Sequence, residues 1–175
     1  MIFKKLELPG AYIIDLEKRS DERGFFARGW CQNEAKAAGL HISIAQVNIS
    51  FNDKKGTLRG LHYQKAPHAE IKVVRCTKGS IFDVMVDIRP NSPTFKQWFG
   101  TELNEENHRM LYVPEGFAHG YLTLEDKSEV YYLTSEFYMP DYEAGLHWND
   151  HSINIEWPFV PQIVSDKDKN QPLLE

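Results

Sequence analysis

Four short stretches of this 175-residue chain carry side chains whose types and spacing could do chemistry. The segment "RGLHYQ" (59–64) sets Arg59, His62, Tyr63 and Gln64 beside the apolar Leu58 and Leu61. A second histidine, His119, falls in "PEGFAHG" (114–120), two tyrosines, Tyr132 and Tyr138, in "EVYYLTSEFY" (129–138), and Asp168 closes "SDKD" (165–168). An imidazole gives and takes protons near neutral pH. Arg23, Arg59 and Lys72 are cations that could gather round a small anionic ligand. Each stretch also has a plainer reading: a core or edge histidine, tyrosines packed in a strand, or a solvated tail at "SDKDKNQPLL".

The elements that must position these residues read as strands. An apolar content of 42% over this length fits one domain with a substantial core, and an aromatic share of 13% favours strands over helices. Helical evidence is confined to "CQNEAKAAGL", where Glu34 to Ala38 favour helix and Gly39 suits a C-terminal stop. The runs "EIKVVRC" and "SIFDVMVDIR", joined by Thr77, Lys78 and Gly79, predict a hairpin. In the second run Phe82, Val84, Val86 and Ile88 share one face; Ile81, Asp83, Met85 and Asp87 share the other. So acidic a face belongs to an exposed edge or to the wall of a wet cavity.

Further strands are expected at "QWFGTEL", "HRMLYVP", "HGYLTLE" and "SEVYYLTSEFY", the last placing Tyr132 and Tyr138 on one side with Val130, Thr134 and Glu136. Many short strands with frequent turns imply an all-β antiparallel sandwich or barrel, which can enclose a small ligand. In a regular strand Arg59 and His62 would point to opposite faces. Gly60 between them is where a bulge could re-aim one of them.

A formal charge of −5 argues against nucleic acid as a partner. "MIFKKLELPG" lacks the apolar run of a signal peptide, and no stretch approaches a membrane-spanning length. Cys31 and Cys76 show no metal or redox spacing and read as two reduced thiols. A soluble cytoplasmic protein with no membrane partner is expected.

Taken together, "DERGFF", "KGTLRGLHYQ", "GSIFDVMVDIR", "SPTF", "PEGFAHGYLTL" and "SDKD" stand in the order and spacing of the cupin-fold sugar-nucleotide epimerases. From about Phe3 to Leu174 the chain resembles the dTDP-4-dehydrorhamnose 3,5-epimerase family. The resemblance implies a single RmlC-like cupin domain over residues 1–175, built as an antiparallel jelly-roll barrel with a few short helices. It also implies a homodimer that exchanges N-terminal strands. The implied substrate is a nucleotide-diphosphate 4-keto-6-deoxy sugar, inverted at C3, C5 or both through an enolate, with no cofactor and no metal.

By the same resemblance His62 is the base, Asp168 the carboxylate that orients it, Tyr132 the acid opposite and Lys72 the cation at the enolate. Asp83 is the less favoured partner for the base. His119 supports the sugar, while Arg59 and Arg23 meet the diphosphate. Gln46 and Asn48 line the nucleotide and sugar site, Tyr138 stacks on the base of the nucleotide, and Glu143 and Lys167 are weaker binding positions. One departure stands out: Arg28, in "FFARGW", replaces a glutamate that could accept from thymine N3–H. An arginine there implies a nucleotide other than dTDP.

Three other readings compete. A metal-dependent cupin would use His62, Glu70 and His119, although Gln64 stands where its second histidine belongs and Lys72 would repel a cation. A relative could invert one centre only or shift the ketone. A non-catalytic binder would need the cavity but not His62, Asp168 and Tyr132 together.

Overall fold

The computed structural model describes residues 1–174; Glu175, the last residue of the expected domain, lies outside them. Strands β1 (Ile2–Lys5) and β2 (Tyr12–Asp15) form a first hairpin, and β3 (Arg19–Asp21) and β4 (Gly24–Phe26) a small separate one. Helix α1 (Gln32–Ala37) ends where expected, with Gly39 in the left-handed region at φ +83°. The body follows as β5 (Gln46–Asn52), β6 (Thr57–Gln64), β7 (Lys72–Lys78), β8 (Ser80–Asp87), β9 (Trp98–Asn104), β10 (Met110–Val113), β11 (Phe117–Thr123) and β12 (Ser128–Thr134). Then come β13 (Glu143–Gly145), β14 (Ile163–Val164) and the short α2 (Asp166–Lys169). Among the described residues no helix is long and apolar enough to cross a membrane.

Two sheets face each other. One runs β1-β2-β10-β7-β12-β5, the other β13-β6-β11-β8-β9, with β14 added parallel to β6. Val74, Cys76, Leu111, Val113 and Val130 of the first sheet interlock with Ile81, Met85, Leu103, Phe117 and Tyr121 of the second. This is the cupin-type antiparallel jelly roll expected from the chain, all-β with a few short helices.

The expected hairpin at Gly79 is corrected. β7 pairs with β10 and β12, whereas β8 pairs with β11 and β9, so the two runs lie in opposite sheets. Gly79, at φ +70°, is the corner where the chain crosses from one sheet to the other. A turn signal between two apolar runs fits a corner as well as a hairpin, because both need a left-handed residue.

Much of each outer face is also covered, although Val47, Ile49, Phe51 and Tyr131 leave the β5–β12 edge of the first sheet exposed. Ala35, Leu40 and Ile42 from the α1 region pack on Ile14, Val73, Met110, Tyr112 and Leu133; Leu146 and Ile153 pack on Leu61, Val84, Val86 and Ala118. This is why β8 and β11 read as nearly unbroken buried runs rather than alternating ones. Asp87, at one end of β8, is fully buried and accepts hydrogen bonds from Arg89, Ser92 and Thr94. The "SPTF" segment thus fastens the fold rather than lining a cavity.

Toward the other end the inward-facing positions change character. Lys72 follows the inward parity of Val74 and Cys76, Tyr132 that of Val130, and His119 that of Phe117 and Tyr121. The acidic face of β8 belongs to the barrel interior, since Ile81 and Met85 of the same face lie in the core between the sheets.

Candidate active site

His62 on β6 and His119 on β11 are direct cross-strand partners, and the next registered pair is Arg59 with Tyr121. Between them the ladder slips. There Gly60, at φ +129°, faces Gly120 so closely that a Cβ on Gly60 would lie 2.5 Å from the Gly120 Cα. The irregularity expected at Gly60 is present, and it turns Arg59 and His62 into one cavity of about 510 Å³. No larger residue fits where two backbones approach this closely.

Asp168 enters from the end of the chain. β14 pairs with Thr57 and Leu58 of β6, the Ser165 hydroxyl accepts the Asp168 N–H, and α2 then turns the carboxylate toward β6. One oxygen lies 2.6 Å from His62 Nε2 and the other 3.4 Å from the Gly60 N–H. Asp168 is only 3% exposed. Burial opposes its ionisation, but the hydrogen bond and charge of His62, with the Gly60 and Ser165 donors, outweigh it and hold the carboxyl below its ordinary value. An ionised carboxylate can only accept, so His62 Nε2 is the donor in this bond, and in the neutral imidazole Nδ1 is the nitrogen that keeps a lone pair. "SDKD" is therefore not a solvated tail.

Lys72 and Tyr132 complete the wall around His62. Lys72 Nζ lies 3.4 Å from the His62 carbonyl oxygen and 3.1 Å from a Glu70 carboxylate oxygen. Burial and the nearby Glu70 charge raise the Tyr132 phenol above its ordinary value, with Arg59 partly offsetting them. That phenol is protonated at neutral pH. His119 Nε2 meets Asp83 at 2.6 Å, so each histidine has its own aspartate, and Asp83 is not the partner of His62.

A second lobe of about 370 Å³ shares His62, Lys72 and Tyr132 and adds Gln46, Asn48, Tyr138 and Glu143. β12 stops at Thr134, so Tyr138 is not on the strand face with Tyr132, as its spacing had implied. It reaches the lobe through its backbone N–H, which donates to Gln46 at 2.6 Å, and its hydroxyl, which donates to Glu143 at 2.8 Å. Lys167 closes the rim, 2.7 Å from the same Glu143 carboxylate oxygen. Arg59 Nε donates to Asn52 Oδ1 at 2.8 Å and Nη2 reaches the Phe51 carbonyl at 3.5 Å, which fixes the guanidinium in the cavity wall.

Arg23 and Arg28 stand apart. Arg23 pairs with Asp21 on the exposed β3–β4 hairpin, and Arg28 pairs with Glu34 at 2.9 Å; neither lines either lobe. The expectation that Arg28 selects the nucleotide finds no support in the cavity of its own chain. Gln64 lines the second lobe, but its amide is occupied by the backbone of His68, Phe137 and Met139. The three residues considered for a metal are likewise engaged, Glu70 with Lys72 and both histidines with aspartates.

A family model for dTDP-4-dehydrorhamnose 3,5-epimerase matches residues 5–175. The chain belongs to this epimerase family. It is 48% identical to a dTDP-4-dehydrorhamnose 3,5-epimerase of Shigella flexneri over 167 residues, which cover 95% of this chain and 92% of that one. Its fold is similar to that of the Bacillus anthracis epimerase crystallised with TDP and PPi bound, with a TM-score of 0.95, 41% identity and 99% of each chain covered. A Legionella pneumophila RmlC in complex with dTDP-4-keto-L-rhamnose superposes with a TM-score of 0.92 at 36% identity, covering 99% of this chain and 92% of that one. The chain is accordingly an isomerase of the epimerase type.

Asn52, Tyr121, Ser50 and Glu70 contribute to the epimerase cavity and were given no role in an epimerase site from the sequence. Asn52 is buried and also donates to the Ser128 carbonyl and toward the Tyr121 hydroxyl, which in turn donates to Ser50. Only the parity of β5, with Gln46, Asn48, Ser50 and Asn52 on its inward side, could have pointed to this set. The Glu70–Lys72 pair had a weaker signal, two charges at alternate positions entering an otherwise apolar strand.

Proposed function

We propose that this epimerase acts on dTDP-4-keto-6-deoxyglucose and inverts both carbons flanking the C4 ketone, C3 and C5. One observation carries the reading: the His62–Asp168 pair, the Lys72 ammonium and the protonated Tyr132 phenol line one cavity. The ketone acidifies both neighbouring C–H bonds. His62 Nδ1 takes a proton from one of them, and the C–H electron pair moves into an enolate whose negative charge rests on the C4 oxygen. Asp168 offsets the positive charge that forms on the imidazole. The Lys72 ammonium donates to the C4 oxygen as that charge grows, which is where a fixed cation is most effective.

Tyr132 then gives its phenolic proton to the opposite face of the same carbon, the enolate collapses to the ketone, and the configuration is inverted. Solvent reprotonates the phenolate and accepts the proton held by His62, so acid and base are both restored. The second carbon follows by the same exchange. No electrons leave the substrate, so no redox cofactor is called for.

Arg59 and Lys167 supply positive charge for the diphosphate, and Tyr138, Gln46, Asn48 and Glu143 hold the nucleotide and sugar. His119, kept in place by Asp83, supports the sugar. We further propose a homodimer in which the exposed β3–β4 hairpin carries Arg23 toward the partner's cavity; the Arg23 side chain, 83% exposed, supports this, whereas Arg28 stays paired with Glu34 of its own chain. The two free cysteines fit a reducing compartment, and we assign the enzyme to the cytoplasm as a single cupin domain.

Incubation with dTDP-4-keto-6-deoxyglucose in heavy water tests the reading. Deuterium entering C3 and C5 is expected by NMR, and His62→Ala is expected to abolish it while dTDP still binds. Full exchange by His62→Ala would refute the assigned base.

A further inference from the structure

Glu70 stands outside the roles assigned so far, yet it is a carboxylate within the cavity wall. Its side chain is 13% exposed, it lines the same lobe as Tyr132 and His62, and Lys72 Nζ at 3.1 Å is its charged partner. A lysine has four freely turning bonds and a strongly hydrated head, so an unrestrained Lys72 would swing its ammonium toward open water. Two acceptors prevent this: the His62 carbonyl at 3.4 Å and the Glu70 carboxylate at 3.1 Å. An ammonium has three N–H donors. One is given to the His62 carbonyl while Glu70 holds the head by charge, so donor capacity remains for the cavity that Lys72 lines with His62 and Tyr132.

We infer that Glu70 is a positioning residue for the epimerisation: it fixes the Lys72 ammonium beside the base so that one N–H is aimed at the oxygen where the enolate charge develops. This rests on the reading of Lys72 given above. The arrangement has a cost that makes it testable. A carboxylate next to the cation reduces the net positive charge offered to an anionic substrate. If charge alone mattered, its removal would improve both binding and turnover. If aim matters, removal leaves binding intact and slows the reaction, because a donor displaced by about 1 Å loses most of its effect on the transition state.

The test compares Glu70→Gln, Lys72→Met and the double variant, reading dTDP affinity by calorimetry and kcat for inversion by NMR. Glu70→Gln is expected to bind dTDP as well as or better than the parent while kcat falls about tenfold. In the Lys72→Met background the same change is expected to cause no further loss. Unchanged or increased kcat in Glu70→Gln, alongside a clear loss in Lys72→Met, overturns the inference and leaves the role of Lys72 standing. Losses that multiply in the double variant overturn it too, since Glu70 would then act independently. Full turnover by Lys72→Met would instead remove the reading on which it rests. Glu70→Asp, which withdraws the carboxylate by one methylene, is a second probe should the amide fold poorly, and parental kcat there also counts against the inference.

Discussion

The tightest backbone contact at the site makes the sharpest prediction. Replacing Gly60 by alanine would put a methyl carbon 2.5 Å from the Gly120 Cα and 2.9 Å from the His119 carbonyl oxygen, against an ordinary contact of 3.4–4 Å. β6 and β11 would have to part by about 0.9 Å at that point, judged from the same contact distances. Overpacking of this kind costs about 1–3 kcal/mol, and the left-handed φ of +129° adds about 1–2 kcal/mol for a residue with a Cβ. The expected loss of stability is therefore about 2–5 kcal/mol, read from urea denaturation.

The same displacement passes directly into Arg59 and His62, which flank the slip, so kcat should fall about a hundredfold even under conditions where the variant is fully folded. Gly39→Ala is the control: Gly39 also has a left-handed φ, +83°, with nothing within 4 Å of the added carbon, and it lies at the end of α1, away from the site. It should show the φ cost alone and retain turnover. Gly60→Ala within about 0.5 kcal/mol of the parent and with full turnover would refute the argument that close approach at the slip builds the site.

Three further outcomes are expected. Asp168→Asn replaces a charge-assisted bond by a neutral one, and kcat should drop about tenfold to a hundredfold with dTDP binding kept, measured by calorimetry alongside the NMR assay. Tyr132→Phe should still exchange solvent deuterium into the substrate but invert slowly, because the base survives and the acid does not; loss of exchange and inversion in parallel would contradict that division. Asp87, despite full burial, is drawn down to about 2 by Arg89, Ser92 and Thr94. Its carboxyl binds a proton less readily in the fold than in the unfolded chain, so its contribution of about 2 kcal/mol is complete above pH ~4 and lost as pH falls toward 2. Asp87→Asn should remove that acid-sensitive component from urea denaturation followed between pH 2 and 5.

How far the sequence reached differs from element to element. The strand content, the helix at Glu34 to Ala38 and the disturbance at Gly60 follow from local rules, since propensity and parity act over a few residues. Sheet membership is not local, which is why the corner at Gly79 looked like a hairpin. Tyr138 shows the same limit: its alternation with Tyr132 was real in the sequence, but β12 ends at Thr134 and other bonds bring the ring back. The pairing of Asp168 with His62 could be reached only through the family resemblance, because nothing in a polar tail announces burial. Asn52 was missed because its one signature, the inward parity it shares with Gln46, Asn48 and Ser50 on β5, gives a face and not a partner.

His62 and Asp168 lie 106 residues apart along the chain, and the β14–β6 ladder that brings them together spans a similar interval. Closing a loop of that length costs on the order of 4 kcal/mol in chain entropy before any contact rewards it. Such contacts form late and open early. The barrel can therefore exist without its completed base: when the terminal segment carrying β14 and α2 peels away, it gives up a short parallel ladder, a few hydrogen bonds such as His147 N–H to the Pro172 carbonyl, and the packing of Leu174, while the core between the sheets stays intact. Turnover should vanish at milder denaturation than the barrel's own signal, so that activity reports the docking of one strand and the spectroscopic transition reports the rest.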